Sequence, residues 1–358
     1  MTMLDKYIRE TGAKWMEGEG PHHNIVLSSR IRLARNFREV PFPSLAGDEE
    51  TEQVINSVQE SLKRGESGLG RPKTIKMKDL SSIDKQVMVE KHLISPLLAK
   101  EDRNSAVILS QDEDISIMLN EEDHIRIQCL FPGLQLEKAF EMADHIDDLI
   151  EESVDYAFDE ELGFMTACPT NVGTGMRASV MLHLPALAIT GQINRILSAV
   201  GQVGLAVRGL YGEGSEVVGN IFQISNQITL GQSEQDMIEN LLGVTKQIVE
   251  QEEQARKKLE EDSELKVADK AGRSFGQLSY ARIVTTKEAL DLLSQVRLGV
   301  DMGLLKEVDA TILDDLMVLI RPANLQKIAG KELESGERDT KRAEIIQKRI
   351  NMNTDKQE

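Results

Sequence analysis

The sequence predicts an α+β protein in which a mostly antiparallel sheet flanked by helices is followed by a C-terminal helical domain. Three observations carry that expectation. The segments DISIMLN and HIRIQCL put Ile115, Ile117 and Leu119, then Ile125, Ile127 and Cys129, on alternate positions, the period of a strand with one buried face. Leu136, Phe140, Ala143, Ile146, Ile150 and Val154 recur at spacings of three and four, an apolar helical stripe able to cover that sheet. After Ser233 the alternation stops, and helical spacing takes over in Ile238, Leu241, Leu242, Val249, Ala255 and Leu259. Hairpin signals outnumber strand-helix-strand repeats, which is why the sheet is expected to be antiparallel.

Taken in order, a polar arm over 1–23 ends in Gly20, Pro21, His22 and His23 and feeds the first strand, within VLSSRIRLAR. From Asn24 to about Gly231 strand and helix patterns mix. The hairpin connection Asn120, Glu121, Glu122 and Asp123 is packed with carboxylates, and 163–166 and 220–225 read as further strands. Residues 250–265 are almost all polar or charged, which suggests an exposed helix end or a linker. Beyond it, 289–305, 311–320 and 343–350 read as helices of a compact bundle. The expected division is an arm over 1–23, a mixed domain over 24–255 and a helical domain over 256–358.

Of the 358 residues, 40% are hydrophobic and 28% charged, enough apolar surface to bury a sizeable core. Sixty acidic side chains against 42 basic ones give a net charge of −18. That balance argues against holding nucleic acid by general phosphate attraction, so no direct nucleic-acid partner is expected. Cys129 and Cys168 cannot build a disulfide framework and neither belongs to a CxxC pair, which fits a reducing compartment. The N-terminal MTMLDKYIRETGAKW lacks the apolar run of a signal peptide, and no stretch reaches membrane-spanning length. The expectation is a cytoplasmic protein without a membrane partner.

A search for a nucleotide site begins with glycine. GESGLGRPKT over 65–74 looks like a phosphate loop, yet Arg71 and Pro72 stand where a lysine and a hydroxyl residue are required, so it reads as a surface loop. The HRD and DFG signatures of protein kinases are missing. Arginine can neutralise phosphates instead, because its planar fork makes paired charge-assisted bonds and keeps its proton. The candidates are Arg30 and Arg32, Arg126 in NEEDHIRI, Arg177 in CPTNVGTGMRAS and Arg208 in VRGLYGEGS, with scattered surface ion pairs as the plainer alternative. Arg30 and Arg32 are two apart, so on a strand they share a face. Glu121 and Glu122 sit at the hairpin tip near Arg126, and Glu213 lies in the glycine-rich turn after Arg208. A solvated acidic loop is the alternative there.

SSRIR, NEEDHIRI and CPTNVGTGMRAS, in that order and spacing, resemble the phosphagen (guanidino) kinases, the family of arginine and creatine kinases, over about Asn24 to Gln254. The resemblance implies a phosphagen-kinase catalytic domain over 24–255. Small-molecule members carry a sizeable helical domain before SSRIR, whereas here 23 residues precede the core and helical segments containing RDTKRA follow it. This arrangement resembles the bacterial branch whose acceptor is an arginine side chain within a protein, left reachable by an uncapped pocket.

What the resemblance implies about the site is specific. ATP, with Mg2+ held mainly through its phosphates and no protein metal ligands, is expected against Ser28, Ser29, Arg30, Ile31, Arg32, His92 and Arg126. It is expected also against Arg177, Ala178, Ser179, Val180 and Met181, and against Arg208, Gly209, Leu210, Tyr211, Gly212 and Glu213. Glu122 matches the family's catalytic glutamate, with Glu121 and Glu213 as supporting anions. Cys168 matches the reactive cysteine, a small buried hydrophobe being the alternative, while Cys129 reads as core. Arg338, Asp339, Thr340, Lys341, Arg342 and Ala343 match a phosphoarginine-binding motif that activates the enzyme. The expected partners are protein substrates with exposed arginines, a heat-shock repressor, a zinc-binding activator protein, the AAA+ unfoldase of a protease, and a second copy in a homodimer. The implied role is marking proteins for degradation under stress. A small-molecule guanidino kinase and a non-catalytic adaptor scaffold are the alternatives.

Overall fold

The computed structural model describes residues 15, 20–64, 67–101, 103–209 and 217–354. Ten strands occur among them. They are β1 (Val26–Arg35), β2 (Lys73–Lys76), β3 (Ala106–Leu109), β4 (Ile115–Leu119), β5 (Ile125–Pro132), β6 (Phe158–Asp159), β7 (Gly163–Phe164), β8 (Met176–His183), β9 (Leu205–Arg208) and β10 (Ile221–Asn226). Eight form one sheet in the order β2-β3-β4-β5-β1-β8-β10-β9, and every neighbouring pair is antiparallel. β6 and β7 make a separate two-stranded hairpin.

β1 lies at the centre, and its alternation sets the two faces of the sheet. Ile31 and Leu33 point to a side where they are buried, while Arg30 and Arg32 point to the other. The helix Leu136–Glu151 lays Ala139, Ala143, Ile146 and Ile150 on the apolar side, and the helix Asp48–Arg64 packs against that helix. On the opposite face Val107, Leu109 and Met118 pack against the helices Ser82–Glu90 and Pro96–Lys100 at the β2–β4 end, while the central strands carry the polar groups.

The helix Glu234–Tyr280 contains a break at Ser263, where φ is −151° and ψ 19°. The stretch 250–265 is accordingly mostly exposed and holds the break between two helices, but Glu252 and Arg256 within it are buried. Glu252 accepts hydrogen bonds from the backbone N–H groups of Ala186 (3.0 Å) and Leu187 (2.9 Å), at the start of the helix Pro185–Ile189. Arg256 donates to Glu252 (3.0 Å) and to the Asn24 carbonyl (3.0 Å), and pairs with Asp301 at 3.3 Å. These two charges are buried because they serve groups brought in from elsewhere in the fold.

A second core joins Leu278, Leu290, Leu293, Val296, Leu313, Leu316 and Ile346. It is built by the end of the long helix together with the helices Thr286–Asp301, Ala310–Leu319, Pro322–Ala329 and Ser335–Thr354. Thr285 and Glu288 form a capping box at the start of the first of these. The bundle is pinned to the sheet domain by Glu90, which accepts from the Ala323 N–H (2.8 Å) and the Asn324 N–H (2.9 Å) and so caps the helix Pro322–Ala329. Lys327 reinforces the contact by pairing with Asp84 at 2.6 Å.

Candidate active site

The register of the sheet decides which side chains meet. Arg32 stands opposite Arg177 on β8 and opposite Gln128 on β5, while Arg30 stands opposite Ser179. Residues directly paired across antiparallel strands share a face, and so do residues two apart on one strand. Arg30, Arg32, Arg126 and Arg177 therefore lie on one face. Arg208, opposite Gln223 on β10, which is itself opposite Met181, extends the same face to the sheet edge.

Four of these cations crowd one another. Burial first, then Arg177 and Arg126, push the Arg30 guanidinium down to about 10. Arg32 is pushed down further, by burial and then by Arg30, Arg126 and Arg177, with Glu121 opposing. Arg32 Nε is buried and has no protein partner. Like charges held together with an orphaned donor suit a polyanion, which supplies both the missing acceptor and the missing charge. A triphosphate fits these residues.

The hairpin tip between β4 and β5 brings carboxylates to the rim of this face. Asn120 takes the left-handed backbone conformation that a tight connection needs (φ 58°), and its side chain donates to the carbonyls of Thr51 (2.9 Å) and Asn104 (3.0 Å). Glu121 is 1% exposed, accepts from Ser95 and pairs with Arg126 at 2.6 Å. The Glu122 side chain is 35% exposed and sits 3.2 Å from the other terminal nitrogen of Arg126. One carboxylate fixes the arginine, and the other faces outward. Burial raises the Glu122 carboxyl above its ordinary value, with Arg126 opposing and Asp123 and Glu121 assisting.

Asp123 joins this tip to the cysteine loop, a role the sequence reading missed although the residue lies inside NEEDHIRI. One Asp123 oxygen accepts from Asn36 Nδ2 and from the Ala167 N–H, both at 2.7 Å. Cys168 follows directly, partly exposed, with its Sγ 3.0 Å from Thr170 Oγ1. Gly173 holds φ at 111°, and a Cβ there would lie 2.3 Å from the Thr229 carbonyl oxygen, so only glycine allows the loop to close on that strand end. His124, in the same run, accepts from the Phe37 N–H at Nδ1 (3.1 Å), which leaves Nε2 to donate to Pro41 (2.8 Å). Burial lowers its pKa, and its task is to hold the tip.

The remaining expected residues are distributed as follows. Ser28, Ser29 and Ile31 lie on β1, and Ala178, Ser179, Val180 and Met181 on β8; Ile31, Ala178 and Val180 are core residues of the sheet. Ser29 donates to the Gly133 carbonyl at 2.8 Å. His92 adopts a left-handed backbone (φ 58°) and its carbonyl accepts from Gln128 at 2.8 Å. Gly209 directly follows β9, whereas Leu210, Tyr211, Gly212 and Glu213 lie outside the described residues. Cys129 is fully buried and burial raises its thiol pKa, consistent with a core role.

RDTKRA lies on the helix Ser335–Thr354, within the bundle. Arg342 is 1% exposed, donates to the carbonyls of Ile320 and Val284, both at 2.8 Å, and pairs with Asp339. Arg338 donates to the Leu333 carbonyl at 2.7 Å, Thr340 to that of Gly336 at 3.0 Å, and Lys341 pairs with Glu344 at 2.9 Å, while Ala343 joins the bundle core. Among the described residues no three His, Cys, Asp or Glu side chains cluster to hold a metal, and no helix is long and apolar enough to cross a membrane.

A cationic face bordered by an outward carboxylate at a hairpin tip is an arrangement suited to phosphoryl transfer. The chain matches the ATP:guanido phosphotransferase, C-terminal catalytic domain, family over residues 53–255, and the Protein-arginine kinase McsB C-terminal domain family over 264–358. Protein-arginine kinases of Halalkalibacterium halodurans and Bacillus subtilis are 54% and 51% identical to it, each over 98% of this chain and over 98% and 96% of their own lengths. A crystal structure of lombricine kinase shares the fold, with a TM-score of 0.57 and 21% identity over 70% of this chain and 76% of that one. The chain belongs to the protein-arginine kinases, a branch of the ATP:guanido phosphotransferase family, and is an ATP-dependent phosphotransferase.

Proposed function

We propose that this chain transfers the γ-phosphoryl group of ATP to the guanidinium of arginine side chains in proteins. The observation that carries the reading is the shared face of Arg30, Arg32, Arg126 and Arg177 bordered by the half-exposed Glu122. The arginines bind and align the phosphate chain, joined by Arg208 and Gly209 at the sheet edge and by Ser28 and Ser179 beside Arg30. Mg2+, held through the phosphates, neutralises charge on them when bound. Phosphoryl transfer draws its rate from alignment and charge stabilisation, which cations fixed on a rigid sheet supply.

A guanidinium is a poor nucleophile, with a pKa of roughly 12.5–13.8. Glu122 orients it and accepts its proton as the N–P bond forms, and the upward push on its carboxyl makes it the stronger base. Glu121 serves by holding Arg126. Glu213 is a further anion for the same guanidinium, and Cys168, presented by the loop tied to Asp123, adds a polar or anionic neighbour.

The names of the relatives and the match of the C-terminal region support a protein acceptor over free arginine. RDTKRA, from Arg338 to Ala343, is the proposed phosphoarginine-binding motif through which modified protein activates the enzyme. The cellular setting we propose is cytoplasmic marking of proteins, a heat-shock repressor among them, for an AAA+ unfoldase-protease, with a zinc-binding activator and a homodimeric enzyme. Incubation with labelled ATP and either a folded arginine-rich protein or free arginine tests the acceptor. Acid-labile label on protein, absent with Glu122→Ala, is expected. Label on free arginine alone overturns the reading in favour of a small-molecule kinase, and equal partner effects without ATP turnover in either form would favour a scaffold.

A further inference from the structure

Next to the cationic face lies a narrow cleft lined by Trp15, Arg30, His92, Ser179, Met181 and Gln223, among others. Its position follows from the register. Along β1, Ala34 stands opposite Arg126 near the carboxylate tip, Arg32 opposite Arg177, Arg30 opposite Ser179 and Ser28 opposite Met181. Six residues of strand at about 3.3 Å each separate the ends by about 20 Å. An extended nucleoside triphosphate with its transferable group at the Glu122 end thus brings its base to the Trp15 end.

We propose that Trp15 is a positioning and specificity residue for the nucleobase, backing His92 from behind and tying the base end of the site to the C-terminal bundle. The proposal rests on the ATP reading above. The Trp15 and His92 rings meet edge to face, with centroids 5.3 Å apart and planes at 81°. Trp15 Nε1 donates to the Lys91 carbonyl at 3.2 Å, so the indole holds the backbone directly before His92. The ring is 4% exposed and packs with Leu130, Met181 and Ile221 of the sheet and with Val318 of the helix Ala310–Leu319. His92 itself is held neutral: burial first, then Arg30, Arg321 and Arg32, lower it to about 3. A neutral imidazole can stack on a base without adding to the crowded positive charge. Ser179 and Gln223 offer hydrogen-bond groups for base edges or ribose, and Met181 a polarizable apolar surface.

Trp15 is the only tryptophan in the chain, so its emission reports on this site alone. The full-length protein is titrated with ADP, with emission and calorimetry followed in parallel, and Trp15→Leu and Trp15→Phe are assayed for ATP, GTP and protein-acceptor kinetics. The expected result is an emission change that saturates at the calorimetric Kd. Trp15→Leu should raise KM for ATP by up to about tenfold, the size of one lost edge-to-face contact behind His92, and erode the preference for ATP over GTP. The turnover number and the acceptor KM should stay close to the unaltered values, and Trp15→Phe should restore most of the ATP affinity. Calorimetric ADP binding with silent emission, or an unchanged ATP KM in both variants, overturns the proposal while leaving the ATP reading intact. No ADP binding by the unaltered protein overturns both. If Trp15→Leu does not fold, the emission titration of the unaltered protein decides.

Discussion

Arg342 donates from Nε to the carbonyl of Ile320 at 2.8 Å, and Ile320 immediately precedes Arg321, one of the cations acting on His92. Arg321 in turn precedes the helix Pro322–Ala329, whose first N–H groups are capped by Glu90 of the sheet domain. The RDTKRA helix and the sheet domain are thus joined by a short run of buried and partly buried hydrogen bonds.

Replacing Arg342 with alanine strips donors from two carbonyls at once, those of Ile320 and Val284. An unsatisfied buried acceptor costs about 1–3 kcal/mol. Arg342→Ala should therefore lower the unfolding free energy by about 3 kcal/mol in urea melts, and Arg342→Lys, which keeps the charge but not the fork, should recover only part. A melt unchanged by Arg342→Ala would mean that these bonds do not hold the bundle.

In the proposed mechanism Glu122 accepts a proton, which requires it to be ionised. Its carboxyl is raised above the ordinary glutamate value, so turnover should fall on acidification at a higher pH than an unshifted glutamate would give. Glu122→Gln should lose about a hundredfold to ten-thousandfold in turnover and lose this acidic limb, while ADP affinity stays close to that of the unaltered enzyme. A pH–rate profile with the same limb in the variant would assign the titration to another group.

Asp123 touches neither the proposed phosphate face nor solvent, yet it holds the Ala167 N–H that sets Cys168. Asp123→Ala should cut turnover by about a hundredfold through misplacement of the loop against the tip, with little change in KM for ATP. Equal losses in nucleotide affinity and turnover would indicate wider collapse of the site.

Arg297 is 4% exposed and pairs with Asp314 and, at 3.0 Å, with Asp301. Arg297→Met leaves Asp314 buried without its cation and should cost about 3–5 kcal/mol of stability. Burial holds the Asp314 carboxyl up at about 6 even with Arg297 present. Its contribution to stability is therefore full below the ordinary aspartate range and is lost as pH rises through that value. The deficit of Arg297→Met should be greatest above pH 6 and shrink on acidification as Asp314 takes up its proton. Urea melts at several pH values check this.

The sequence by itself determined what is local. Alternation in 115–129 and the stripe from Leu136 to Val154 set the hairpin and its covering helix, and the runs SSRIR, NEEDHIRI and CPTNVGTGMRAS named the arginines and Glu122. Their backbone periods and turn chemistry are written within a few consecutive residues. Only the tertiary structure decided that Glu121 turns inward to Arg126 while Glu122 faces out, since adjacent carboxylates look alike until Ser95 and Arg126 claim one of them. It likewise turned Glu252 and Arg256 of the charged stretch inward, toward Ala186, Leu187 and Asn24, and drew Trp15 out of a polar arm onto His92. Those partners are separated by tens to hundreds of residues, and a side chain's burial depends on groups that periodicity along the chain does not record.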